Sequence, residues 1–174
     1  MKIYISLLLG LFLFAFAGGN IFAQHRKLTI ILLRHAEKDL AGDVNNPDPN
    51  LSAEGNLRAQ RLIEAVRKYQ PDAIFSSQFI RTRATAAPLA RKNRMMIQIY
   101  NHRNLKEIAE LAMSGKFKRI LIVGHNTTTP ALANLLIGQD KYKPLAESEY
   151  DKIWVVKIKK KKKQNKVKDK VITY

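Results

Sequence analysis

LTIILLRHAEK, residues 28–38, runs from six apolar or β-branched side chains straight into Arg34, His35, Glu37 and Lys38. Residues 28–33 show no polar alternation and are too few for an ordinary helix, so they read as a short strand buried on both faces. Strands of that kind belong to sheets covered by helices on both sides. In such sheets ligands bind beyond the carboxyl ends of the strands, which is where the Arg-His pair stands.

Outward from this stretch the same pattern recurs. Residues 73–76 (AIFS), 95–100 (MMIQIY) and 119–123 (RILIV) read as three more strands. Helices are predicted between them. Ser52 caps one across LSAEGNLRAQRLIEAVRKYQ, with Ala59, Leu62, Ile63, Val66 and Tyr69 on one stripe and Pro71 as its stop. A second covers FIRTRATAAPLARKN, where Pro88 should kink or shorten it. NLKEIAELAMS gives a third, and TTTPALANLLIG a fourth, with Pro130 at an early helical position and Gly138 at the far end. AGDVNNPDPN, residues 41–50, is loop. Four alternations of strand and helix predict an α/β fold with a mostly parallel central sheet and helices on both faces. IWVVKIK and VKDKVITY flank KKKKQN and predict a C-terminal edge hairpin, whose lysines guard the edge.

With 174 residues the chain suits one domain, and 46% apolar residues argue against disorder. MKIYISLLLGLFLFAFAGGNIFAQ has a lysine, an apolar run at 3–17 and small or polar residues to Ala23. That is the layout of a secretory signal peptide over residues 1–23, with an uncleaved anchor as the alternative. It predicts an exported chain, periplasmic or extracellular, folded over 24–174. The absence of cysteine excludes a disulfide framework, a lipid-anchored lipoprotein and a thiolate nucleophile. The net charge is +17, and residues 157–174 hold nine lysines against Asp169 alone. From residue 157 the chain is therefore a lysine-rich tail, either a solvated face or a partner for an anionic envelope surface. No nucleic-acid motif accompanies the charge, so no nucleic acid is expected.

Three strand ends converge on one rim. The first brings Arg34 and His35, the second Arg81 just past AIFS, and the fourth His125 after RILIV. Guanidinium forks suit phosphoryl oxygens, because each can donate two parallel hydrogen bonds. Imidazole can be a neutral nucleophile or a phosphate-binding cation near neutral pH. The start of the helix at TTTP would add free N–H groups. His25 and His102 have no ligand spacing, and no metal or cofactor is expected.

RHAEK at 34–38, LSAEG with Arg58 and Ala59 at 51–59, SSQFIRTRATA at 76–86 and VGHN at 123–126 together resemble, in order, the motifs of the histidine phosphatase superfamily, the phosphoglycerate mutase-like proteins. The resemblance covers most of residues 28–158. It implies that His35 is a nucleophile that is transiently phosphorylated, and that Arg34, Arg81 and a protonated His125 form the phosphate pocket, with Asn126 as an addition. It also implies a proton donor between Arg81 and His125, where the chain offers Glu107 and Glu110; Glu37 is the third candidate. Only 43 residues separate Arg81 from His125, too few for the insertion that covers the site of the mutases. A small open phosphatase is therefore the expected activity, on phosphomonoesters or a phosphorylated protein. The alternative is a protein of the same fold that binds phosphate or polyanions and turns little over.

Overall fold

The computed structural model describes residues 27–41 and 45–174, so the signal segment expected at 1–23 and His25 lie outside the described residues. The elements follow in the order β1 (Lys27–Arg34), α1 (Ala53–Val66), β2 (Ala73–Ser76), α2 (Ile80–Asn93), β3 (Ile97–Ile99), α3 (Leu105–Met113), β4 (Arg119–Gly124), α4 (Thr128–Ile137), β5 (Lys152–Lys159) and β6 (Lys166–Thr173). One six-stranded sheet takes the order β3-β2-β4-β1-β5-β6. β1, β2, β3 and β4 pair in parallel, whereas β5 and β6 join antiparallel as the C-terminal hairpin at one edge.

The uninterrupted apolar run of β1 serves two cores. Leu28, Ile30 and Leu32 turn to one face and pack with Ile108, Ala112, Leu132 and Leu136 of α3 and α4. Ile31 and Leu33 turn to the other, against Leu62, Val66, Ala86 and Leu89 of α1 and α2. Neighbouring side chains on a strand point to opposite faces, so a central strand with helices on both sides must be apolar at every position. This places β1 and β4 side by side at the middle of the sheet, and their carboxyl ends carry Arg34 and His125 to the same rim.

Two elements differ from expectation. α2 is not shortened at Pro88 but runs on to Asn93. Pro88 is buried there, so packing holds the helix through the one backbone hydrogen bond that proline cannot make. β3 is half the expected length because Arg94 takes a left-handed conformation at the end of α2 and Met95 donates its N–H to Ala90 O at 2.9 Å. Met95 is spent on the helix cap and is lost to the strand.

Candidate active site

The backbone N–H of His35 donates to Gly124 O at 2.9 Å, tying the residue after β1 to the last residue of β4. Its imidazole lies 5.6 Å, centre to centre, from that of His125. Arg81, in the first turn of α2, and Arg34 both act electrostatically on the two rings. The four residues expected at separate strand ends are thus brought together. The turn after β3 adds a fifth: the His102 ring stands 5.4 Å from His125 and 5.2 Å from Phe79.

Proton positions follow from the acceptors. His35 Nδ1 is 2.7 Å from Ala36 O. A carbonyl only accepts, so Nδ1 carries the proton and Nε2 keeps its lone pair. Burial lowers the pKa of His35 to about 3, with the bond to Ala36 opposing and the charges of Arg81, Arg34 and His125 reinforcing. The ring is neutral, with its lone pair at Nε2. His125 Nε2 meets Ser77 Oγ at 2.9 Å, Ser77 Oγ meets Thr82 Oγ1 at 2.9 Å, and Thr82 Oγ1 donates to Phe79 O at 2.8 Å. Read back from that carbonyl, Ser77 donates to Thr82 and His125 Nε2–H donates to Ser77. Nδ1 of His125 is left as an acceptor. Burial, then Arg81, His102 and Arg34, push the His125 pKa down to about 4. Burial and the charges of Arg81 and Arg34 outweigh the opposing charge of Asp48 and favour the neutral imidazole over the imidazolium.

The arginines are held on one side and open on the other. Arg34, 1% exposed, donates from Nη1 to the carbonyls of Ala146, Glu147 and Glu149 at 2.9, 3.0 and 3.0 Å. Its guanidinium stacks 4.0 Å from the centre of the Tyr150 ring. Nη2 donates to Glu147 Oε2 at 2.8 Å. Arg81 Nη1 donates to Asp48 Oδ1 at 3.2 Å, and Asp48 itself accepts the Ile80 N–H at 2.9 and 3.0 Å. Among the described residues seven buried side-chain polar atoms have no hydrogen-bond partner, and three of them, Arg34 Nε, Arg81 Nε and His102 Nδ1, belong to this one cluster. Buried donors are ordinarily paired, so the concentration marks a place for a ligand rich in acceptors. Asn126 lies at its edge, with Nδ2 2.8 Å from Glu147 Oε1.

The carboxyls expected as proton donors are engaged elsewhere. Glu37 is committed to Arg58, whose Nε donates to both of its oxygens at 2.8 and 2.9 Å. Burial would raise its pKa, but those bonds outweigh burial and hold it below the usual carboxylate range. Glu107 is exposed in the first turn of α3, and its partner is Asn104, the residue that caps the helix. Glu110 pairs on the surface with Lys106. The site residues that the sequence reading passed over are Asp48, Ser77, Glu147, Tyr150 and His102. One signal was present for two of them: AESEYD, residues 146–151, is a run of acids in a chain of net charge +17.

Residues 30–118 match the family model described as the histidine phosphatase superfamily (branch 1). The match contains Arg34, His35 and Arg81 and stops short of His125, which the sheet alone brings to them. No curated protein matches the chain. Among solved structures, the "putative phosphohistidine phosphatase SixA from Agrobacterium tumefaciens" is similar at 25% identity and TM-score 0.59, over 74% of this chain and 90% of that one. A mycobacterial glucosyl-3-phosphoglycerate phosphatase is similar at 17% identity and TM-score 0.62, over 76% and 91%. The alpha-ribazole phosphatase from Shigella flexneri is similar at 16% identity and TM-score 0.59, over 81% and 95%. The latter two likenesses are of fold.

Proposed function

The chain belongs to the histidine phosphatase superfamily, and from that membership we propose that it is a phosphatase working through a phosphohistidine on His35. The observation that supports it best is the pairing of a neutral, oriented imidazole with two guanidinium groups whose Nε–H donors have no protein partner. Nε2 of His35 attacks phosphorus, an N–P bond forms, and the bond from phosphorus to the leaving atom breaks. Arg34 and Arg81 hold the equatorial oxygens as charge develops there. His125, neutral until an anion arrives, takes up a proton from solvent water at Nδ1 as the phosphoryl group binds, while Asn126 adds a donor at the edge. Water then attacks the phosphohistidine, the N–P bond breaks and phosphate departs. The guanidinium groups supply the positive charge that a metal would otherwise bring.

With Glu37 and Glu107 engaged elsewhere, the leaving group must depart with little protonation. Aryl phosphates and phosphoryl groups on nitrogen meet that condition. Phosphomonoesters of small molecules and phosphorylated protein are the two substrate classes, and the likeness to the SixA structure favours the second. Export rests on residues 1–23, which have the layout of a signal sequence. Attachment to an anionic envelope surface rests on a groove of about 450 Å³ lined by Lys27, Lys157, Lys159, Lys161, Lys166 and Lys168. That groove also favours a second reading, a polyanion-binding protein with little turnover.

The test is hydrolysis of an aryl phosphate by the full chain and by His35→Ala, between about pH 4.5 and 8 with chelator present. Turnover by the wild type that resists chelator and is lost with His35 is expected. No turnover from either protein would overturn the phosphatase reading and leave the binding protein.

A further inference from the structure

A guanidinium that is wholly buried needs an anion or a full set of acceptors, because stripping it of water without either is expensive. Arg34 meets this need in two parts. Its Nη1 edge is permanently satisfied by three backbone carbonyls of the loop before β5. The other edge, Nε and Nη2, is only half filled: Nη2 holds Glu147 Oε2, and Nε has no hydrogen-bond partner. The same carboxylate accepts from Asn126 Nδ2 through Oε1 and stands 3.7 Å from Lys38 Nζ. It holds the donors of Arg34 and Asn126 that the phosphatase reading assigns to a phosphoryl group.

The second arginine has a carboxylate too, but of another kind. Asp48 is fixed by the N–H of Ile80 at the start of α2, so it orients Arg81 and stays. Glu147 is held by side chains alone, and its own side chain is 68% exposed. It can swing into solvent while its backbone carbonyl keeps its place on Arg34 Nη1.

We propose that Glu147 is a specificity-determining residue, the resident anion of the phosphate pocket, which an incoming phosphoryl group must displace from Arg34, Lys38 and Asn126. The inference rests on the reading of this cluster as a phosphate site. Its consequence is selection by charge. A dianionic terminal phosphate that replaces a carboxylate adds a charge to the contact and fills both donors of the Arg34 edge. A monoanionic diester merely exchanges one charge for another and gains nothing by entering.

The test is calorimetric titration of the full chain and of Glu147→Gln with inorganic phosphate and, separately, with dimethyl phosphate, beside turnover of an aryl phosphate. Gln keeps the acceptor for Asn126 and loses the charge. The expected result is phosphate binding tighter by about tenfold, dimethyl phosphate binding brought within detection by a gain of the same factor, and a KM lowered by a similar factor with kcat within about twofold. An unchanged or weaker affinity for phosphate would overturn the proposal. A fall in kcat with affinity unchanged would also overturn it, by making Glu147 a proton donor. The binding arm needs no turnover, so a protein that binds phosphate without hydrolysing it sinks the phosphatase reading alone.

Discussion

His35 and His125 are 3% and 8% exposed and neutral, with pKa values near 3 and near 4. In the unfolded chain both return to about 6.5. Between those limits the unfolded state binds protons that the folded state refuses, so stability is full above about pH 6.5 and is lost as pH falls toward 4. Each histidine steepens the loss by up to about 1.4 kcal/mol per pH unit. Urea unfolding of the full chain from pH 7.5 to 4 should show this slope, and His35→Asn should make it shallower; equal slopes in the two proteins would mean that burial leaves His35 free to protonate. The sequence made the position of these residues legible but not their protonation. A strand end tells where an imidazole stands. It does not tell that a third imidazole, His102, stands against His125, or that Ser77 and Thr82 hold the proton on its Nε2. Glu147 and Asp48 escaped for a related reason: they come from loops, whose placement follows from no periodicity.

At the scale of elements, α1 is set against the strand-end loop by one glycine. A Cβ on Gly55 would meet Glu37 O at 2.3 Å and Glu37 N at 3.0 Å, backbone atoms that cannot move aside. Helix propensity alone favours Ala over Gly by about 1 kcal/mol. Overpacking against a fixed backbone costs about 1–3 kcal/mol and should win. Gly55→Ala is therefore expected to destabilise the protein and to loosen the Glu37 and Arg58 pair beside it; a rise in urea midpoint would show that α1 slides freely. The layers themselves were legible. A strand apolar at every position, repeated with helical stretches between, has few homes other than a covered parallel sheet, and β1 and β4 occupy its centre. The details set by caps and packing were less so. Met95 looked like strand until Arg94 turned left-handed ahead of it, and Pro88 looked like a break until burial in the second core held its helix together.

Over the whole molecule the two charged regions are kept apart. β1 has eight residues, so Lys27 and Arg34 stand about 23 Å from each other, while exposed charges are screened over about 8–10 Å at physiological salt. The lysine groove cannot steer a phosphate to His35 from that distance. Within the sheet its pairing is between like charges. Lys159 is paired across the sheet with Lys27 on one side and Lys166 on the other, and Lys157 with Lys168. Like charges directly opposite one another destabilise strand pairs. The attachment to an anionic surface proposed above can be tested at this row. Replacing Lys159 and Lys166 together by Gln should raise the thermal midpoint slightly, leave aryl phosphate turnover unchanged, and weaken co-sedimentation with phosphatidylglycerol vesicles in low salt. Vesicle binding equal to that of the wild type would assign the lysines to edge protection alone. A fall in turnover would show that the two ends of the sheet are coupled through the packed strands between them rather than through the field.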